Sequence, residues 1–328
     1  MKFLIGTLSR MGGRGIALAE LRDDRLRLLW EDCSLTDPIW IAAGAPGTAY
    51  VTSGGGRGPH TGCVSRISYD VNGMRVEESL PSCGSGACHC ALTENGRYLV
   101  TANYNTGSVN VTELRDGAIL RTVQTVAHEG CGVDPGRQER AHVHQIMPLP
   151  SLPHCFCAAD LGTDALVIYE QDPESGSVRE RYRIAFPAGE GPRHVTLAEN
   201  GKAFAVTELG NKVFPVSFGG RSGSVGEGVS ALRDPCTPNT AAAIRVCNGE
   251  ILVSNRGEDT VAVFEQDPLR RVRTFSAGGR GPRDILPLPE KDTCLTACQE
   301  DGLFLMRGDS IADALPFIGA VRIMRTEL

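Results

Sequence analysis

The strongest constraint on this chain is a pattern that keeps returning. Five stretches share one layout: an apolar strand, a tight turn, a second strand, a short polar break and a third strand. The first three run from His89-Cys90-Ala91-Leu92 to Val109-Asn110-Val111, from His144-Gln145-Ile146 to Val167-Ile168-Tyr169, and from His194-Val195-Thr196 to Val213-Phe214. The fourth runs from Ala243-Ile244-Arg245 to Val261-Ala262-Val263-Phe264, and the weakest from Asp284-Ile285-Leu286 to Leu303-Phe304-Leu305. Their period is about 45 residues, the size of one four-stranded propeller blade. Asn95-Gly96, Asn200-Gly201 and Asn248-Gly249 occupy first turns, where Asn-Gly supplies the positive φ of a tight hairpin. The phrase Gly191-Pro192-Arg193 returns two periods later as Gly281-Pro282-Arg283. Looser repeats occupy residues 3–29 and 39–80, and residues 319–324 read as a closing strand. The expected fold is all-β: one seven-bladed β-propeller domain over residues 1–328, built of four-stranded antiparallel blades. The irregular ends also accommodate six or eight blades.

A chain of 328 residues would by length alone suggest two domains, but closed all-β folds run long as single units. The net charge of −6 carries no long run of one sign, which argues against a nucleic-acid platform. The apolar run after Met1 is too short for a signal-peptide core, and nothing approaches the roughly 20 apolar residues that span a bilayer. The expectation is a soluble cytoplasmic protein without membrane contact, monomeric because a propeller closes on itself. Of the 12 cysteines, Cys83, Cys88 and Cys90 surround His89 and could suggest a metal cluster. However, Cys88-x-Cys90 and Cys155-x-Cys157 have the period that puts both side chains on one strand face, as buried reduced thiols would.

In a propeller the first strand of each blade lines the channel and the second runs antiparallel beside it. The start of one and the end of the other therefore share an end of the blade. His144, Arg193 and His194 lie at first-strand starts; Asn103, Asp160, Glu208, Asn255 and Arg256 lie at second-strand ends. All should converge on one channel mouth. Asn103, Asp160 and Asn255 are equally at home as turn formers, whereas Glu208 and Arg256 are not preferred there. His142-Val143-His144 places two imidazoles on one side by alternation, a spacing that zinc can use, but no carboxylate or thiol of matching spacing lies nearby in sequence; the expectation is no metal. His60, His128 and His154 read as surface residues.

Several phrases resemble the propeller-type lactonases, which include bacterial 6-phosphogluconolactonases and fungal carboxymuconate lactonizing enzymes. They are Ala141-His142-Val143-His144-Gln145, Ala159-Asp160-Leu161-Gly162-Thr163-Asp164, Gly191-Pro192-Arg193-His194, Asn103-Tyr104-Asn105-Thr106-Gly107-Ser108-Val109 and Ser254-Asn255-Arg256-Gly257-Glu258-Asp259-Thr260-Val261. The resemblance implies a cofactor-free lactone site with a histidine, two arginines and a glutamate. Phrase by phrase these fall on His144, with His142 as its neighbour, on Arg193 and Arg256, and on Glu208. Thr207-Glu208-Leu209 stands where the family commonly has Asn-Glu-Leu, which would remove one amide from the rim.

Such a site would use His144 as a base titrating near neutrality and the arginines as permanent cations for a carboxylate, phosphate or oxyanion. Around them, His142, His194, Asn103, Asp160 and Asn255 would contact the substrate. The expected partner is a small anionic lactone, with 6-phosphogluconolactone the first substrate to test. A lactonizing isomerase acting on a muconate-type dicarboxylate, or a non-catalytic binding propeller, remains open at this level. Arg140 and Arg283 are the candidates for a phosphate contact.

Overall fold

A computed structural model describes residues 1–54 and 61–328; His60 lies outside the described residues. Seven antiparallel sheets stand around an axis. Blade 2 is Trp40–Ala43, Thr48–Ser53, Cys63–Tyr69 and Met74–Pro81, and blade 3 is Ala87–Leu92, Tyr98–Asn103, Ser108–Arg115 and Ala118–Ala127. Blade 4 is Val143–Pro148, Cys155–Asp160, Ala165–Gln171 and Val178–Ala185. Blade 5 is Pro192–Leu197, Ala203–Thr207 and Lys212–Phe218, its outer position split between Gly223–Val225 and Val229–Ser230. Blade 6 is Thr240–Cys247, Glu250–Arg256, Thr260–Gln266 and Leu269–Ser276; blade 7 is Pro282–Pro287, Thr293–Cys298, Gly302–Arg307 and Ser310–Pro316. Innermost strands touch their neighbours all the way round.

Blade 1 closes the ring. Its inner strand, Ala320–Arg325, comes from the far end of the chain and pairs with Lys2–Thr7, followed by Ile16–Arg22 and Arg25–Asp32. The early repeat at residue 3 therefore begins on the second strand of its blade, not the first. Closure completes the ring, so that the edge of each short inner strand faces only the channel, where a propeller protects it.

The core is a set of apolar layers between adjacent blades. Tyr98, Val100, Val109 and Val111 of blade 3 pack on Val143, Ile146, Phe156 and Val167 of blade 4. Phe3, Ala17 and Ile323 of blade 1 pack on Leu295, Leu303 and Leu305 of blade 7. Strand alternation delivers these side chains: inner strands present one face to each neighbouring blade. Of the Asn-Gly turns, only Asn248-Gly249 is a two-residue hairpin with both φ values positive (51° and 77°), joining the paired Cys247 and Glu250. The other two turns place only the glycine at positive φ.

All 12 cysteines are unpaired thiols. Cys155 and Cys157 share one layer, as their spacing demands. Cys88 and Cys90 do not: Cys88 packs between blades 3 and 4, Cys90 between blades 2 and 3. A bulge at Cys88, where Ala87 pairs with Asn103 but His89 with Ala102, breaks the alternation.

Candidate active site

That bulge recurs, and it builds the site. In blade 4, Val143 pairs with Asp160 and Gln145 with Ala159, leaving His144 as the extra residue. Arg193 stands outside the ladder in blade 5 and Arg283 in blade 7. Val321 does so in the closing strand, and Ala242 and Ala243 oppose one residue in blade 6. A bulge turns one side chain away from the sheet's regular faces. Here it turns a residue from each of several blades toward the axis at the same height.

The repeated Gly-Pro-Arg phrase is part of this device. Gly191 and Gly281 adopt left-handed φ values of 61° and 67°, a conformation that glycine adopts without penalty. The Gly191 N–H donates to Asp164 Oδ1 of blade 4 (2.7 Å), and the Gly281 N–H to Asp259 Oδ1 of blade 6 (2.8 Å). Each aspartate sits in the turn after a second strand, so the preceding blade fixes where the next arginine begins. The glycine N–H braces the phrase against the preceding blade, and Arg193 ties it to the next one, donating from Nη1 to Ala242 O of blade 6 at 2.8 Å.

The bulge residues Cys88, His144 and Arg283 line a pocket of about 320 Å³ together with Tyr104, Asn105, Arg137, Glu208 and Arg256. Arg193 and His194 lie just inside it, around a small chamber that also touches His144 and Arg283. Glu208, 4% exposed, is the hub. Its Oε2 accepts from Arg193 Nε at 2.7 Å and meets Arg256 Nη2 at 2.9 Å, and its Oε1 accepts from Arg137 Nη2 at 2.5 Å. Burial pushes the Glu208 carboxyl up, but Arg256, Arg193 and Arg137 override it and hold the group well below the usual carboxylate range. It is an anion at any pH of interest.

Burial first, and the charge of Arg193 second, hold the His144 imidazole well below its ordinary value, so it is neutral at pH 7. Its Nδ1 is buried with no hydrogen-bond partner among the described residues. Burial and the like charge of Arg256 push Arg193 down to about 10. Burial, then Arg193 and Arg256, push Arg283 down to about 9. Both guanidiniums stay charged at neutral pH.

The other expected site residues are elsewhere. Asn103 is spent within its own blade and the loop before it, accepting from Ser82 Oγ and donating to Ser82 O and Ser108 Oγ. Asp160 accepts from the His142 and Gly162 N–H groups and pairs with His128. Asn255 donates to Ala231 O and Thr260 Oγ1. All three are fully buried, and none borders the pocket. His142 stacks on Tyr104, with ring centroids 4.4 Å apart, and its Nε2 contacts Glu139. Only His144 of the pair reaches the cavity, because the bulge separates them. His154 is exposed as expected. His128, in contrast, is 7% exposed, locked between Asp160 (2.8 Å) and the Tyr169 hydroxyl (2.9 Å). Thr207 is fully buried and donates to Glu190 Oε2, so an amide there would not have been on the rim. Arg140 is an exposed residue paired with Glu139. Among the described residues no group of three or more His, Cys, Asp or Glu converges as a metal-ligand set.

Sequence reasoning missed Arg137 and Tyr104, which hydrogen-bond to each other at 3.2 Å. Arg137 rides on the loop between Ala118–Ala127 and Val143–Pro148. The available signal was that loop's length, since connections of this size usually carry function. The loop is pinned by buried Gln138, which donates to Leu161 O and Asp164 Oδ1. Beneath the pocket the channel is filled: Trp40 stacks on His89 at 3.9 Å, and Arg322 lies 3.8 Å over the Trp40 ring.

Fold and site together define a seven-bladed propeller with a cation-rich pocket centred on one carboxylate and one neutral imidazole. The chain belongs to the family described as "Lactonase, 7-bladed beta-propeller", whose model matches residues 2–305. It is similar to the 6-phosphogluconolactonase of Bacillus subtilis, 29% identical over 313 residues, covering 91% of this chain and 88% of that one. A Staphylococcus saprophyticus protein without an assigned activity is 30% identical over 247 residues, covering 72% and 70% of the two chains. Among solved structures, the periplasmic gluconolactonase of Pseudomonas aeruginosa superposes with a TM-score of 0.87 at 24% identity, covering 99% of this chain and all of the other. No helix among the described residues is long and apolar enough to cross a membrane.

Proposed function

We propose that this chain hydrolyses a sugar lactone, and that its substrate is 6-phosphogluconolactone. The observation that carries the reading is His144: a neutral imidazole, 5% exposed, on the wall of a pocket otherwise crowded with guanidiniums. Ester opening needs a water made nucleophilic and a cation where charge develops on the carbonyl oxygen. In this mechanism water attacks the lactone carbonyl carbon while His144 takes its proton. The tetrahedral oxyanion faces Arg256, and Glu208 holds Arg256 and Arg137 in place. When the intermediate collapses, the ring C–O bond breaks and the leaving oxygen takes the proton back from His144. Arg193, only 2% exposed, acts as a positioning residue that sustains the neutral imidazole and braces Glu208.

The reading requires no cofactor and a single closed ring acting as a monomer. Twelve unpaired cysteines suit a reducing cytoplasm. The test follows 6-phosphogluconolactone opening at neutral pH, corrected for spontaneous hydrolysis. Replacing His144 by Ala should lower kcat by about 10²–10⁴-fold, the usual contribution of a positioned base. Wild-type turnover in that variant would end the assignment.

A further inference from the structure

The pocket's charges do not balance. Arg137, Arg193 and Arg256 share one carboxylate, Glu208. Arg283, the bulge residue of blade 7, has no hydrogen bond or ion pair among the described residues, although it borders both the pocket and its inner chamber. Its neighbour Asp284 cannot neutralise it, because Arg245 and Arg322 already claim that carboxylate. The pocket's second carboxylate, Asp37, sits near the rim, where its Oδ1 accepts from the Ser9 N–H at 2.5 Å. Leaving aside Arg10 on the exposed rim, the guanidiniums of Arg137, Arg193, Arg256 and Arg283 around the pocket and its inner chamber face the carboxylates of Glu208 and Asp37, so two positive charges are unmatched. A half-buried guanidinium without a counter-ion is costly to the protein alone. That cost is recovered when a ligand brings the anion.

We propose that Arg283 is the residue that recognises the phosphate ester of the substrate, and so decides between a phosphorylated and a neutral sugar lactone. A phosphate dianion matches the two unmatched charges, and a guanidinium fork matches its oxygens. The chain's own sequence supports the assignment of a dedicated position: the same Gly-Pro-Arg device that sets Arg193 beneath Glu208 sets Arg283 on the wall with nothing to hold. The lactone carbonyl then lies toward His144 and Arg256, and the ester toward blade 7. This inference rests on the lactonase reading above.

The test uses the whole chain with Arg283→Met, which keeps much of the side chain's bulk and removes its charge. Without ligand the variant should melt at or above the wild-type temperature, because an unpaired charge has gone; this also reports that it folds. Inorganic phosphate should raise the melting temperature of the wild type and raise that of the variant by less. In kcat/KM the variant should lose on the order of 10²-fold more on 6-phosphogluconolactone than on glucono-δ-lactone, which lacks the ester. Equal losses on both lactones would overturn the proposal, as would undiminished stabilisation of the variant by phosphate. If the wild type opens neither lactone, the hydrolase reading falls, and the phosphate melting arm still decides the role of Arg283.

Discussion

Replacing Glu208 by Gln isolates the charge at the centre of the pocket while keeping its shape. Three guanidiniums converge on this carboxylate, at 2.7, 2.9 and 2.5 Å, and two of them, Arg193 and Arg256, are largely out of water. At an effective dielectric near 20, each close pair is worth about 4 kcal/mol before the cost of desolvation. Removing one partner of such a buried pair, so that the others are left uncompensated, costs about 3–5 kcal/mol net. Unfolding entropy of about 2.1 cal/mol/K per residue, taken over 328 residues, converts that into a melting temperature lower by about 4–7 °C. Differential scanning calorimetry in a chloride buffer reads it directly. The deficit should shrink as phosphate is added, because an anion can occupy the same cations. A variant melting within about 1 °C of the wild type, with or without phosphate, would show that Glu208 is not the counter-charge that holds this cluster together.

Arg193→Met should move the acid limb of the kcat/KM profile to higher pH, because removing a neighbouring cation lets the His144 imidazole rise toward its ordinary value; an unmoved limb would detach Arg193 from the base. Urea titrations between pH 7 and 5 should show stability falling with acidity. His89, His144 and His194 are all held well below 6.5, chiefly by burial and then by nearby arginines. The unfolded chain takes up those protons first, so the stability they confer is full above about pH 6.5 and is lost below it, at up to about 1.4 kcal/mol per pH unit for each group. A flat profile over that range would refute the neutral assignment.

The blades were readable in the sequence because their signals are local. A hairpin at Asn248-Gly249 and an apolar run such as that within Thr260–Gln266 need only neighbouring residues to specify them. The meeting of His144, Arg193, Glu208 and Arg256 was readable too, since antiparallel pairing forces first-strand starts beside second-strand ends. What alternation could not supply was the bulge. It moved Cys88 off the face of Cys90 and separated His144 from His142. Nor could it reveal contacts that cross blades: Asp160 reaching His128, or Arg137 crossing from its loop to Glu208, depend on distances set only when the ring closes. Turn chemistry explains Asn103 and Asn255 better than substrate contact does, for the Nδ2 of each holds a backbone carbonyl of its own surroundings.

The extra residue in six of the seven inner strands also bears on how such proteins diversify. A side chain that takes no part in the ladder can be exchanged without shifting the pairing of any strand, so new chemistry can be tried there while the scaffold stays put. Val321, Cys88 and Ala242 occupy such positions in this chain and carry no charge. They are natural first targets for a directed library, because each offers a separate seat at one small table, and lineages sharing this architecture can part ways in substrate by reseating a single guest.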